Sequence, residues 1–238
     1  MKYIKRFEEC FSPNNVTVKY CLGQLSREQF FSYIDEKLLN ENLLSDIKIW
    51  ANEKVMSVMK SFVSSAIRLG YSVLSKFIDF LIWCSSKINN LKNSNPILCK
   101  TIIITGVIFI CLIVCASEAK AQSIGGVPPD PNVINAAIGY LKSIQFDGQI
   151  DSMVIQKAMA YLVDIRDGQQ SISSQVFTKQ AIEIAEAGVT AVKQMKSESS
   201  DDSSFILAAA EYIKAGSEYL AAEMSKVGGR ESVKLVVK

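Results

Sequence analysis

The chain has no histidine among its 238 residues. That removes the side chain that most often binds metals and carries protons near neutral pH. A Ser–His–Asp or Cys–His constellation cannot be assembled, nor can a His-bearing zinc or di-iron site. The six cysteines are Cys10, Cys21, Cys84, Cys99, Cys111 and Cys115. They form no Cys-x-x-Cys pair, which excludes zinc-ribbon and thioredoxin-type motifs. No Walker loop and no Gly-x-Gly-x-x-Gly occurs, so the usual phosphate cradles are missing. Only 5 prolines and 12 glycines are present, against collagen-like and low-complexity readings. A surplus of one sign of charge is also lacking: 26 Lys and Arg face 24 Asp and Glu, net +2. No basic stripe or row of aromatics is available to grip phosphates or stack bases. The expectation is no enzyme activity, no cofactor, no metal and no nucleic-acid partner.

What the sequence has is one long apolar run. Thr101 to Ala116, TIIITGVIFICLIVCA, contains no charged residue, with Lys100 before it and Glu118 after. A spanning helix needs about 20 such residues. Extension back through Pro96-Ile97-Leu98-Cys99 supplies the length, with Lys100 snorkelling to the headgroups. Residues 96–117 are therefore expected to form a transmembrane helix. Thr101, Gly106, Phe109, Cys111 and Cys115 lie along it, and the lipid bilayer is its partner. A buried core helix or strand has the same composition. No run resembles a parallel-sheet strand for it to join, which directs the reading to the membrane.

Charge predicts an orientation. Residues 85–100 hold Lys87, Lys92 and Lys100 and no acid, whereas residues 117–132 hold Lys120 against Glu118 and Asp130. The positive-inside tendency places the N-terminal part in the cytoplasm and the C-terminal part outside it. No cysteine lies beyond residue 115, which suits an oxidising compartment for the C-terminal part. Ala119 and Ala121 after the apolar run also make an Ala-x-Ala pattern. Cleavage after Ala121 would release the C-terminal part as an exported protein.

Residues 1–95 read as a helical cytoplasmic region. Tyr3, Ile4 and Phe7 fit a short helix over Met1–Phe11. Ser26-Arg27-Glu28-Gln29 is a capping box that opens a helix through Phe30, Ile34 and Leu38. From Ser45-Asp46, apolar residues recur at steps of three and four to about Asn89, in the pattern of a helical hairpin or coiled-coil seam that Gly70 can bend. After a linker at 118–130, residues 131–229 carry four amphipathic patterns. Their inner faces are Ile134, Ala137, Ile138, Leu141; Val154, Ala158, Tyr161, Leu162; Ala181, Ile184, Gly188, Val192; and Ile206, Ala209, Ile213, Leu220. Asp130 before Pro131 caps the first. Short connections predict a four-helix bundle, ended by Gly228-Gly229, with a tail at 230–238 that is a short strand or mobile. The fold class is mainly α, a single transmembrane helix joining an N-terminal helical segment to a C-terminal four-helix bundle.

The opening Met1-Lys2-Tyr3-Ile4-Lys5-Arg6-Phe7-Glu8-Glu9 resembles the start of many small proteins of tailed bacteriophages. The resemblance covers these nine residues and implies origin, and with it virion, envelope or lysis roles. A holin-like lysis protein has a single span and an exported domain, although the cytoplasmic part here is longer than that pattern. The functional expectation is a non-enzymatic membrane protein presenting a helical bundle to an unidentified protein partner or to further copies of itself. The alternative is membrane permeabilisation, which needs the span to oligomerise.

Overall fold

The structure is a computed structural model and describes residues 15–39, 55–88, 96–124, 130–144, 149–167, 174–197 and 203–236. It is mainly helical, with no strand among the described residues. The helices are α1 (Val16–Cys21), α2 (Arg27–Leu39), α3 (Met56–Leu69), α4 (Ser72–Ile88), α5 (Pro96–Ile124), α6 (Pro131–Ser143), α7 (Gln149–Arg166), α8 (Ser174–Ser197) and α9 (Ser203–Val236).

Local signals set several boundaries. The capping box at α2 is reciprocal: Gln29 N donates to Ser26 Oγ at 3.2 Å, and Ser26 N donates to Gln29 Oε1 at 2.9 Å. Two otherwise orphan backbone donors are thereby satisfied. At α6, Asp130 Oδ1 accepts from Asn132 N at 2.9 Å, and Pro131 takes the first turn, where an N–H is not needed. Gly70 separates α3 from α4 at φ 71°, ψ −147°, a region that side chains with a Cβ avoid. The long apolar pattern thus becomes two helices folded on one another rather than one bent helix.

Two boundaries differ from the sequence expectation. α5 runs on to Ile124, past the expected end at 117, because Ser117-Glu118-Ala119-Lys120-Ala121-Gln122 contains no helix breaker. α9 continues through Gly228-Gly229 to Val236, so the tail, expected as a short strand or a mobile end, extends the helix. Each glycine costs a helix only about 1 kcal/mol relative to Ala, too little to force a stop. The expected helix at Met1–Phe11 and the helix start at Ser45-Asp46 lie outside the described residues.

The inner faces of the C-terminal helices are as their periodicity predicts. Ile134, Ala137, Ile138 and Leu141 are buried on α6, and Val154, Ala158, Tyr161 and Leu162 on α7. So are Ala181, Ile184, Ala191 and Val192 on α8, and Ile206, Ala209, Ile213 and Leu220 on α9. They belong to one continuous core shared with α3, α4 and α5. At its centre stands α5, on which α3, α4, α7, α8 and α9 all pack. α6 lies outside, against α7 and α4, while α1 buttresses the α3–α4 pair from its other side.

Gly70→Ala places a Cβ in a strained backbone region and is expected to lower stability by about 1–3 kcal/mol. Denaturant unfolding followed by circular dichroism checks this. An unchanged midpoint would show that the turn relaxes freely.

Candidate functional site

The apolar segment is the feature that departs most from an ordinary bundle. Cys99–Glu118 is long and apolar enough to cross a membrane, with a mean hydropathy of 2.5. It is the one such helix among the described residues, and 89% of it is buried inside the protein. A helix that is apolar all round must lie in a core or in lipid. Here Val107 through Val114 are without exception fully enclosed by protein.

The neighbours of α5 can be followed along its length. On one side, Tyr71 Oη donates to a Glu118 carboxylate oxygen at 2.6 Å. Ten residues further along the chain, Leu81 sits against Gly106, where a Cβ would come within 2.7 Å of Leu81 Cδ2. On another side, Thr101 Oγ1 lies 3.7 Å from Met195 Sδ, and Cys115 Sγ lies 3.7 Å from Thr178 Oγ1. Between these, Gly188 meets Ile108, and a Cβ there would stand 2.9 Å from Ile108 Cγ1. Both α4 and α8 therefore run antiparallel to α5 along its apolar length.

The buried hydroxyls of α5 are satisfied by α5 itself. Thr101 Oγ1 donates to Ile97 O at 2.9 Å, Thr105 Oγ1 to Thr101 O at 2.7 Å, and Ser117 Oγ to Ile113 O at 2.8 Å. These four-residue back-bonds hide three polar groups without help from a neighbour. The approaches to Met195 and Thr178 use sulfur, a weak hydrogen-bonding partner. From Thr101 to Ser117 the helix is held mainly by shape and apolar contact.

The sequence-predicted residues fall as follows. Thr101, Phe109, Cys111 and Cys115 are buried at the centre, and Gly106 is a point of close approach to α4. Ala119 and Ala121 lie in the last turns of α5, within continuous helix, and Ala121 is half-buried. Cys21, Cys84, Cys99, Cys111 and Cys115 are all buried and none of them is in a disulfide. Among the described residues no group of three or more His, Cys, Asp or Glu side chains converges to hold a metal ion.

Two features were not legible in the sequence. Lys60 is buried, with its ammonium 4.2 Å from the Tyr212 ring centre, and so ties α3 to α9. The second is a node on the outer face of α4. Tyr20 Oη makes a long contact with Asp79 at 3.5 Å, Arg27 stands 3.7 Å from the same carboxylate, and Lys76 lies over the Tyr20 ring at 4.5 Å. Burial, then the Asp79 charge, pushes the Tyr20 hydroxyl up to about 12, so it stays a donor at neutral pH. The Arg27–Asp79 pair is largely exposed and contributes at most about 1 kcal/mol. Tyr20 and Phe30, stacked with ring centres 4.2 Å apart, join α1 to α2, and Phe30 against Phe62 and Phe31 against Trp83 attach α2 to α3 and α4.

Comparison with protein-family models, curated proteins and solved structures gives no match.

Gly188→Val forces a side chain into Ile108 and is expected to destabilise the protein by about 1–3 kcal/mol. Adding Ile108→Val, which removes the facing Cδ1, is expected to recover about 1 kcal/mol of that loss. A double-mutant cycle in urea measures the coupling. Strict additivity would show that α5 and α8 do not meet there.

Proposed function

We propose that the protein is a non-enzymatic, membrane-associating helical protein in which α5 is the bilayer-entering segment and the surrounding helices cover it in water. The observation that carries this reading is a helix of spanning length that hides its own hydroxyls. Leaving the bundle costs Thr105 and Ser117 no hydrogen bond and Thr101 only its weak 3.7 Å approach to Met195 Sδ, because their carbonyl acceptors travel with them. In hydrocarbon that self-sufficiency is a requirement.

The energies of the two locations are of similar size. Between Thr101 and Ala116 there are ten Ile, Leu, Val and Phe residues. On insertion scales each favours the bilayer by about 0.3–0.6 kcal/mol, or roughly 3–6 kcal/mol together. A folded domain is stable by about 5–15 kcal/mol in total. A bilayer can therefore compete with the bundle for α5, and modest changes in packing decide the outcome.

A single-pass arrangement, with residues 1–95 cytoplasmic and 131–229 outside, is the second reading, supported by the lysines before the run. It requires the packing of α3 on α9 and of α4 on α6 to be given up, because the bilayer would separate Lys60 from Tyr212 and Ser85 from Tyr140. In either reading the partners are lipid and, once the covering helices open, other helices, including those of further copies.

A reversible lock tests the proposal. In Gly188→Cys, the new Cβ lies one bond beyond 2.9 Å from the Cβ at position 108, inside the roughly 3.5–4.5 Å span that a disulfide bridges. The double variant Ile108→Cys/Gly188→Cys, with Cys111 and Cys115 changed to Ala, is mixed with anionic liposomes. Reduced protein is expected to float with the vesicles and resist carbonate extraction. Oxidised protein is expected to stay in solution until a reductant is added. Equal retention of both forms would contradict the proposal, as would retention of neither.

A further inference from the structure

Resting on the reading of α5 as the bilayer-entering segment, we infer that α4 enters with it, as an antiparallel hairpin that leaves both chain ends on the side of entry. The register carries this. Tyr71, just ahead of α4, meets Glu118 near the end of α5, and Leu81 meets Gly106 at the middle. The 17 residues of α4 thus lie beside the apolar stretch from about Lys100 to Glu118. At 1.5 Å per residue α4 is about 26 Å long, a few ångströms short of the hydrocarbon thickness of about 30 Å, a mismatch that local bilayer thinning absorbs.

The composition of α4 agrees. From Ser72 to Ser86 its charged residues are Lys76 and Asp79. They stand three apart on one helix face, where opposite charges can pair when water is withdrawn. In the bundle both are instead engaged by the outer helices, through Tyr20 and Arg27. Ile82 is 47% exposed, in a groove with Arg27, Phe31 and Trp83, so its side chain can meet lipid without leaving a packed site. Trp83 stands near the end of α4 with its ring against Phe80, a residue type suited to headgroup depth.

What must cross the membrane distinguishes the two topologies. If α5 enters alone, one whole flank has to follow. Residues 125–238 carry 25 charged side chains and α6 through α9. A hairpin carries across residues 87–100, whose charges are Lys87, Lys92 and Lys100, and holds Lys76 and Asp79 within the bilayer, five charges in all. A folded protein entering from water, without a translocation channel, takes the route that moves the fewest charges through hydrocarbon.

Limited trypsin digestion of the wild-type protein bound to sealed phosphatidylcholine–phosphatidylglycerol vesicles, after a carbonate wash, reads the topology by mass. The hairpin predicts a retained fragment Leu69–Lys120, cut at Arg68 and Lys120, with Lys76, Lys87, Lys92 and Lys100 protected. A fragment from Thr101 to the C-terminus, one from Met1 to Lys120, or Thr101–Lys120 alone would overturn the hairpin while leaving α5 as the entering segment. Absence of any retained α5 fragment would overturn the membrane reading itself. Ile82→Asp, at an exposed position, leaves the soluble fold intact and is expected to lower the yield of Leu69–Lys120 by about tenfold or more. An unchanged yield would mean that α4 stays outside.

Discussion

Between Thr101 and Ala116 α5 has no charged side chain and its two threonine hydroxyls bond back to its own carbonyls, so no rotation of the helix offers water a polar stripe. The helix must be surrounded, and α3, α4, α7, α8 and α9 surround it. Most of the architecture follows from that need. The covering helices are amphipathic, with their apolar faces turned to α5 and to one another. Close approach is secured at Gly106 and Gly188, where Leu81 and Ile108 occupy the space of the missing side chains. The outermost helices, α1 and α2, serve the cover rather than the centre, through the aromatic stack that begins at Tyr20 and Phe30.

Under the proposed function, the same constraint gives the molecule two places to put α5. Protein and lipid both supply an apolar surround, and the helix is internally satisfied in either. The stability of the cover sets the balance, and the contacts that close it are individually modest. Lys60 over Tyr212 joins α3 to α9, a Ser85–Tyr140 contact of 3.3 Å joins α4 to α6, and the Asp79 node fastens the N-terminal helices.

Much of the helical layout was legible in the sequence because its signals are local. The Ser26–Gln29 box, Asp130 ahead of Pro131, and the three-and-four spacing of runs such as Ile134, Ala137, Ile138 and Leu141 act within one or two turns. What surrounds α5 was not legible. A segment enclosed by protein and one enclosed by lipid need the same residues, so TIIITGVIFICLIVCA reads alike in both settings. Only long-range pairings separate them: Leu81 with Gly106, Gly188 with Ile108, Thr178 with Cys115. A single sequence carries no signal for these pairs. Gly228-Gly229 failed as a stop for a related reason, since a local penalty of about 1 kcal/mol per glycine does not by itself end a helix.

The central claim is that α5 is covered by helices that let it go at a bilayer. Hydrogen–deuterium exchange, measured with and without anionic vesicles, tests it most directly. The account predicts that backbone amides of Cys99–Glu118 stay protected in both conditions, while those of α8 and α9 lose protection when vesicles are added. Unchanged protection across α8 and α9, with the protein demonstrably bound to the vesicles, would contradict it.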